Sequence, residues 1–462
     1  MLFNSHEFLL LFLPLCVAVA MRLRHAWLLA WICAASCVFY AFAGHVWFLV
    51  PMAFTSVLDF MVGRAMARRK TKRERLPLLL VSLVLNLSLL GYFKYSGLLV
   101  GTLSDAARIL GGSGIAFEGL RVILPAGISF YTLQTLSYVF DIYRGDSKAE
   151  SSFWAYLAFV SFFPHLVAGP LTRHNQLLNQ LHAIAKSGAT PRWAPGIGLF
   201  ALGLAKKVIV ADRIALWNDP LIGSVGTLGA VGAWVCVLGY GMQIYFDFSG
   251  YSDMAVGLGR LFGIELPQNF DRPYASRDPG EFWRRWHITL SNWLRDYVFL
   301  SMRARTPRRS DINLMFTMAL AGLWHGASWV FVVWGIYHGA LLVMHRRLKT
   351  PWAKMPKSVQ VGVTFILVSI GWVFFRAKTF DHARAWFVSM SGARGLMLGV
   401  DNSVMKVSLC VTGALAIVFL APRAAGIDYA RLSRTQWAAL GVTAAVAVVM
   451  MNYSSRFLYF QF

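Results

Sequence analysis

A histidine lies in the middle of a long uncharged stretch of the sequence. His325 stands between Trp324 and Gly326, within residues 315–344, which contain no Asp, Glu, Lys or Arg. An ionisable side chain at membrane depth is costly, so such a residue is by default a candidate functional site. Histidine is also the side chain whose ordinary pKa suits general base catalysis near neutral pH.

Two glycines flank this histidine at positions 322 and 326, which predicts a break in the helix or a close approach of two backbones. Irregular backbone at membrane depth is tolerated where it is buried in protein or lines a cavity. We therefore expect His325 to line a cavity. The alternative is a buried core histidine with satisfied partners.

A second candidate segment runs from Pro279 to Leu300 and is rich in aromatic residues and arginine. Asp278 is suited to cap a helix that starts at Pro279. Tryptophan, tyrosine and arginine on one helix are typical of the membrane–water boundary. His287 lies among the aromatic residues of this segment, so the predicted interfacial helix either only rests on the membrane or also lines a site.

Two carboxylates, Asp247 and Asp253, end an apolar run six residues apart. A carboxylate pair can perform acid/base chemistry, and buried carboxylates need partners. We favour a structural role in which Asp247 or Asp253 pairs with an arginine of the interfacial helix. Ser249 and Gly250 are predicted to break the helix between them.

Several catalytic motifs are missing from the sequence. There is no His-Glu-x-x-His, no Gly-x-x-x-x-Gly-Lys-Ser/Thr and no Gly-x-Ser-x-Gly. The five cysteines are scattered through apolar runs without metal-ligand spacing. These absences leave base-assisted direct transfer or an unusual nucleophile.

The composition sets the class of protein that must position these residues. Of 462 residues, 57% are hydrophobic and 14% charged, and the mean hydropathy is +0.55. Recurring long apolar runs predict an all-α polytopic membrane protein. The formal net charge is +23. The basic residues cluster between apolar runs, which favours loops facing anionic lipid over nucleic-acid binding.

The basic loops also predict the orientation in the membrane. Seven Lys or Arg residues between Arg64 and Arg75 indicate a cytoplasmic loop. Counting spans from this loop places both termini outside, and the N-terminus lacks the basic start of a secretory signal. The candidate spans are residues 7–21, 26–43, 46–63, 77–100, 122–140, 153–171, 196–211, 227–248, 312–330, 331–345, 359–376, 403–421 and 436–453.

The motifs together resemble the membrane-bound O-acyltransferase family. The resemblance rests on Phe282–Ser291, Trp293–Tyr297, Leu323–Gly326 and Tyr245–Met254. Further agreement is found in Gly91–Tyr95, Leu124–Tyr131, Phe163–Pro170 and Gln268–Phe270. The chain is most similar to the bacterial branch that O-acetylates alginate, cellulose or peptidoglycan.

The resemblance implies an all-α fold of about 11–13 transmembrane or re-entrant helices around a central tunnel. It predicts one membrane-embedded domain over residues 1–462, with a core at 120–345 and an extracytoplasmic tail at 454–462. His325 and His287 match the family's two active-site histidines. Residues predicted to line the substrate or donor site are Trp324, Trp286, Arg284, Arg285, Asp247 and Asp253.

The resemblance also implies the reaction and its partners. The donor is expected to be cytoplasmic acetyl-CoA, with no bound cofactor or metal, in a bacterial inner membrane. Tyr459, near the C-terminus, is a candidate acyl acceptor or else part of an aromatic interfacial anchor. A periplasmic SGNH (serine-esterase-like) partner and a polysaccharide acceptor are expected outside. The alternatives are D-alanyl or other acyl transfer to teichoic acid-type polymers and, in a different class, a polytopic transporter.

Overall fold

A computed structural model describes residues 1–42, 44–111, 122–453 and 457–458, and the regular elements within these ranges are all helical. The chain forms two compact units. Unit 1 comprises Met1–Trp193 and Leu258–Pro267, and unit 2 comprises Ala194–Gly257 and Gln268–Phe462. The prediction of a single domain with a core at 120–345 stays a prediction.

Unit 1 is a helical assembly closed by aromatic packing. Its core includes a cluster of the Phe3, Phe8, Phe39 and Phe163 rings. The α-helices of unit 1 are α1 (Leu13–Ala20), α2 (His25–Ala41), α3 (Leu49–Ala67), α4 (Lys72–Leu90), α5 (Ser96–Ile109), α6 (Ile128–Arg144), α7 (Phe153–Ser161), α8 (Phe163–Leu166) and α9 (His174–Ser187).

Unit 2 holds the remaining helices and the histidines at positions 287 and 325. They are α10 (Trp193–Ala205), α11 (Asp212–Gly223), α12 (Ala230–Leu261), α13 (Pro279–Arg285), α14 (Ile288–Trp293), α15 (Pro307–His325), α16 (Trp329–Arg347), α17 (Lys349–Ala353), α18 (Lys357–Arg376), α19 (Phe380–Met390), α20 (Asn402–Leu420) and α21 (Arg434–Met450). A π-helical turn, Lys206–Ala211, joins α10 to α11, and the last turn of α12 falls in unit 1.

Helix α12 runs without interruption for 32 residues. The predicted break at Ser249 and Gly250 is therefore wrong. A Cβ atom on Gly250 would lie 2.7 Å from the carbonyl oxygen of Gly203 on α10. Gly250 thus permits close contact between two helix backbones instead of ending one.

Helices α15 and α16 form a tight hairpin across Gly326–Ser328. A Cβ atom on Gly322 would lie 2.1 Å from the Phe331 carbonyl oxygen, and one on Gly335 would lie 2.1 Å from that of Met318. Small residues at such positions let membrane helices approach closely. The predicted break beside His325 is confirmed, because α15 ends at His325 with extended backbone at Gly326.

Five helical stretches of the described chain are long and apolar enough to cross a membrane. They are Val46–Ala67, Lys72–Ile109, Trp193–Gly223, Lys357–Arg376 and Asn402–Gly426. Three shorter apolar helices, Phe8–Ala20, His25–Ala41 and Arg434–Met450, also coincide with predicted spans. The protein is a multi-pass membrane protein, and the total number of spans stays a prediction.

Candidate active site

His325 occupies the end of a helix and faces a wall of aromatic rings. It is the last residue of α15, and only 4% of its surface is exposed. Its ring centroid lies 4.9 Å from that of Trp324, 5.2 Å from Trp334 and 5.3 Å from Phe375. The helix end and the hairpin contact fix the histidine in an enclosed, largely apolar setting.

His287 also lies at a break between helices, although the sequence predicts one helix from Pro279 to Leu300. The start is as expected, because the Asp278 carboxylate accepts the Glu281 N–H at 2.7 Å and Pro279 is the first residue. Helix α13 then ends at Arg285, and His287 adopts the left-handed region at φ 43°. The prediction of a continuous helix is wrong.

A neighbouring segment provides the physical reason for this break. The N–H of Asp271 donates to the Arg285 carbonyl at 2.9 Å, and the N–H of Ile288 donates to the Asn269 carbonyl at 2.9 Å. These tertiary hydrogen bonds replace helical ones on both sides of His287. A non-glycine residue in the left-handed region is uncommon and costs conformational energy, so a functional role is a reasonable hypothesis.

The two histidines lie close together inside unit 2. Their ring centroids are 6.3 Å apart, and the Trp324 ring lies 6.1 Å from that of His287. His287 is fully buried. Its ring contacts Phe248 at 4.8 Å and Phe270 at 6.3 Å. Such an enclosure excludes bulk water and strengthens electrostatic interactions with a reacting group.

Asn269 determines which nitrogen of neutral His287 carries the proton. Its Oδ1 accepts from the Thr289 N–H at 3.3 Å and from the Thr289 hydroxyl at 2.9 Å, and it lies 3.1 Å from His287 Nδ1. Because this oxygen can only accept, Nδ1 must be the protonated donor. The lone pair of neutral His287 is therefore on Nε2, and Asn269 is a positioning residue that sequence reasoning did not single out.

Asp247 and Asp253 pair with two adjacent lysines and not with an arginine of the segment around Arg284. Asp247 Oδ1 lies 2.7 Å from Lys207 Nζ, which also lies 2.7 Å from Asp212 Oδ1. Asp253 Oδ2 lies 2.5 Å from Lys206 Nζ. The expected arginine pairing is wrong because the π-helical turn directs both lysines towards α12. Two lysines within an apolar run were the sequence signal that could have indicated this cluster.

Arg284 and Arg285 lie on α13 with different surroundings. The Arg284 side chain is 70% exposed, and its nearest ion-pair contact is a long one, 4.0 Å from a guanidinium nitrogen to Asp278 Oδ1. Arg285 makes a 2.6 Å ion pair with Glu281. Burial alone would raise the pKa of Glu281. The backbone N–H of Arg277 and the guanidinium groups of Arg285 and Arg277 outweigh burial and hold this pKa below the ordinary glutamate value. Arg284 is thus the arginine of this pair better placed to meet an anionic ligand.

Trp286 belongs to the aromatic packing next to His287. Its ring lies 4.9 Å from Trp372, 5.1 Å from Phe270 and 5.5 Å from Phe282. Trp286 is 1% exposed and Trp324 is 7% exposed. The Trp324 ring contacts both histidine rings, whereas Trp286 packs on Phe270 beside His287. A role of either tryptophan in lining a donor site stays a prediction.

A cavity of about 280 Å³ is lined in part by Phe270, whose ring also stacks on that of His287. Its polar lining includes the Lys206–Asp253 pair, Tyr245, Ser249, Arg272 and Arg423, and the rest is mostly apolar. Phe270 therefore belongs both to the lining of this amphipathic cavity and to the aromatic surroundings of His287.

The C-terminal segment reaches the same region of unit 2. Phe457 and Leu458 are 2% and 4% exposed. The Leu458 N–H donates to Asp247 Oδ2 at 2.9 Å. Tyr459, the predicted acyl acceptor, lies outside the described residues, and the extracytoplasmic location of the tail stays a prediction.

The described residues contain no group of three His, Cys, Asp or Glu side chains that could hold a metal ion. The two neighbouring buried histidines can supply proton transfer in an aromatic enclosure.

These features define an integral membrane protein with two neighbouring buried histidines, and comparison with known proteins identifies its family. The model of the membrane-bound O-acyltransferase family matches residues 147–380. A probable alginate O-acetylase of Azotobacter vinelandii is 38% identical over 91% of this chain and 84% of its own length. The chain belongs to the membrane-bound O-acyltransferase family, and the protein is an O-acyltransferase.

Other relatives act on different polymers. A peptidoglycan O-acetyltransferase of Helicobacter pylori is 33% identical over 86% of this chain and 81% of its own length. A teichoic acid D-alanyltransferase of Bacillus subtilis is 28% identical over 55% of this chain and 69% of its own length. The predicted family is confirmed, while the polymer differs among the relatives.

Proposed function

We propose that this enzyme transfers an acetyl group from cytoplasmic acetyl-CoA across the bacterial inner membrane for O-acetylation of an extracytoplasmic polysaccharide. The observation that carries the proposal is the buried pair His287 and His325, with ring centroids 6.3 Å apart and both at helix breaks. The similarity to alginate and peptidoglycan O-acetylating enzymes favours acetyl as the acyl group and a glycan as the final acceptor.

In the proposed reaction, His325 removes the proton from an attacking hydroxyl. The hydroxyl oxygen forms a bond to the thioester carbonyl carbon, and the carbon–sulfur bond breaks. Protonated His325 then returns the proton to the departing thiolate, so that CoA leaves as the free thiol. A positioned base contributes about 10²- to 10⁴-fold to such a step. His287, whose Nδ1–H is held by Asn269, would orient the reacting groups through Nε2.

The amphipathic cavity that Phe270 helps to line supports a route for the donor. The acetylated arm of CoA combines polar amides with methylene groups, and the cavity offers both kinds of surface. Arg284 on the exposed face of α13 can contact a phosphate of the same donor. We place this donor route on the cytoplasmic side because the basic loops of the sequence are predicted to be cytoplasmic.

We further propose that the first acceptor is the Tyr459 phenol, which then passes the acetyl group to an extracytoplasmic SGNH (serine-esterase-like) partner and the polymer. The support is the burial of Phe457 and Leu458, which directly precede it, next to residues that contact His287. Replacing Tyr459 by Phe is expected to abolish polymer acetylation at unchanged protein level. Full polymer acetylation in that variant would contradict this part of the proposal.

The central experiment measures transfer of radiolabelled acetyl from acetyl-CoA by the purified protein in detergent. His325→Ala should lose transfer while remaining folded. His338→Phe is a matched control, because His338 is also buried and also contacts Trp334 but belongs to the middle of α16 and not to a helix break. Equal activity of the three proteins would refute the assignment of His325. Ion flux without acetyl chemistry would instead favour a transporter.

One observation favours D-alanyl as an alternative acyl group. It is the similarity to a teichoic acid D-alanyltransferase over about half of this chain. The same assay with a D-alanyl thioester donor separates the two acyl groups. Mass spectrometry of envelope polymers from a strain lacking the enzyme would then identify the acceptor.

A further inference from the structure

A buried ionic cluster, formed by the π-helical turn, α11 and α12, contacts the C-terminal segment. Lys207 Nζ lies 2.7 Å from one oxygen of Asp212 and 2.7 Å from Asp247 Oδ1. The three side chains are at most 3% exposed. The other oxygen of Asp247, Oδ2, accepts the Leu458 N–H at 2.9 Å.

Side-chain stacking adds to this backbone contact. The Phe457 ring stacks on Tyr251 with centroids 4.6 Å apart, and it lies 6.0 Å from Phe248. Asp247, Phe248 and Tyr251 occupy neighbouring positions on one helix, so together they form a single binding surface. We call these three residues the C-terminal binding surface.

The C-terminal binding surface adjoins the candidate active site. Phe248, which contacts Phe457, also lies 4.8 Å from the His287 ring. Tyr459 follows Leu458 directly in the sequence. Fixing the backbone of Leu458 therefore limits the region that the Tyr459 phenol can reach.

We propose that Asp247, held in place by Lys207, is a positioning residue that docks the C-terminal segment beside His287 through the backbone N–H of Leu458. Docking through a backbone group suits an acceptor segment, because a buried N–H requires a partner and a carboxylate is a strong acceptor. Asp247 is not the base in this scheme, since its other oxygen is paired with Lys207. The consequence for transfer rests on the proposed function, whereas the docking does not.

Hydrogen–deuterium exchange of the full-length protein in detergent tests the docking directly. Fragmentation of the C-terminal peptide in the mass spectrometer isolates the Leu458 amide. Asp247→Asn replaces a charged acceptor by a neutral one of equal size, so the Leu458 amide should exchange about tenfold faster. Unchanged exchange at Leu458 in Asp247→Asn would overturn the proposal.

Asp253→Asn is the matched control for this measurement. It removes the acid of a comparable ion pair, Lys206–Asp253 at 2.5 Å, six residues further along α12. Exchange at Leu458 should remain as slow as in the unmodified protein. Equal acceleration in both variants would show a general loosening of α12 and would also overturn the proposal.

If Asp247→Asn does not fold, a second variant tests the docking while the ionic cluster stays intact. Leu458→Pro removes the docking N–H without altering α12. Acetylation of Tyr459 should then fall at least about tenfold, whereas acetyl-CoA hydrolysis at the histidines should continue. Undiminished Tyr459 acetylation in Leu458→Pro would overturn the positioning role. If Tyr459→Phe shows that acetyl transfer does not use this tyrosine, hydrogen–deuterium exchange at the Leu458 amide still tests the docking by itself.

Discussion

Asn269→Leu tests whether His287 acts through a fixed tautomer and orientation. The substitution preserves an approximate side-chain volume but removes the oxygen that lies within hydrogen-bond distance of His287 Nδ1 and of two donors on Thr289. It also removes the Asn269 amide nitrogen that donates to Ser252 Oγ at 3.3 Å. Each of these four hydrogen bonds is worth about 1 kcal/mol net, so we expect a loss of about 4 kcal/mol in unfolding free energy. A His287 ring that is no longer oriented should lower acetyl transfer by about 10²-fold.

Thr289→Val is the matched comparison for this variant. It removes the Thr289 hydroxyl bond to Asn269, at 2.9 Å, and leaves the contact between Asn269 and His287. The expected cost is about 1 kcal/mol of stability, with activity close to that of the unmodified enzyme. The assays are thermal unfolding in detergent and radiolabelled acetyl transfer at saturating donor. Equal loss of activity in the two variants would refute the positioning of His287 by Asn269.

Three further predictions concern catalysis, helix packing and acid stability. His325→Gln should lower the turnover number by about 10²- to 10⁴-fold without lowering the melting temperature, and a melting temperature that falls with activity would instead indicate a structural histidine. Gly322→Ala should cost about 1–3 kcal/mol, because its new Cβ would lie 2.1 Å from the Phe331 carbonyl oxygen. Gly362→Ala on α18 meets nothing within 4 Å and should be neutral or stabilising, so equal melting temperatures of the two alanine variants would contradict the close helix contact. Glu281 has a pKa held below 4.5 in the folded protein, so its contribution to stability is present above pH 4.5 and is lost as the pH falls below that value. Glu281→Gln should therefore flatten the acid side of a melting-temperature profile, and an unchanged profile would show that Glu281 does not contribute to it.

The class of protein and the helix break at His325 could be predicted from the sequence alone. Long apolar runs indicate membrane helices because an unpaired backbone group is too costly in lipid. The uncharged stretch around His325 and the flanking glycines identified both a costly ionisable group and the helix break that the structure confirms. These features are local, since each depends on residues near in sequence.

The sequence could not determine where the long-range partners lie. The Pro279–Leu300 segment has the composition of one helix, yet backbone hydrogen bonds from Asp271 and to Asn269 end it around His287. Ser249 and Gly250 resemble a break, yet Gly203 packs against Gly250 within a continuous helix. Tertiary contacts override local preference in both places, in opposite directions.

The same distinction applies to the charges and to the tail. That Asp247 needs a partner follows from its place in an apolar run, because a buried carboxylate without one is strongly unfavourable. That the partners are Lys207 and the backbone of Leu458, 211 residues away in sequence, follows only from the fold. The sequence by itself determined a helical membrane protein with a histidine at a helix break, because hydrophobicity and helix-breaking residues act locally. The tertiary structure decided that His287 lies beside His325, that Asn269 holds His287 and that Leu458 binds Asp247. Only chain folding brings such distant donors and acceptors within hydrogen-bond distance.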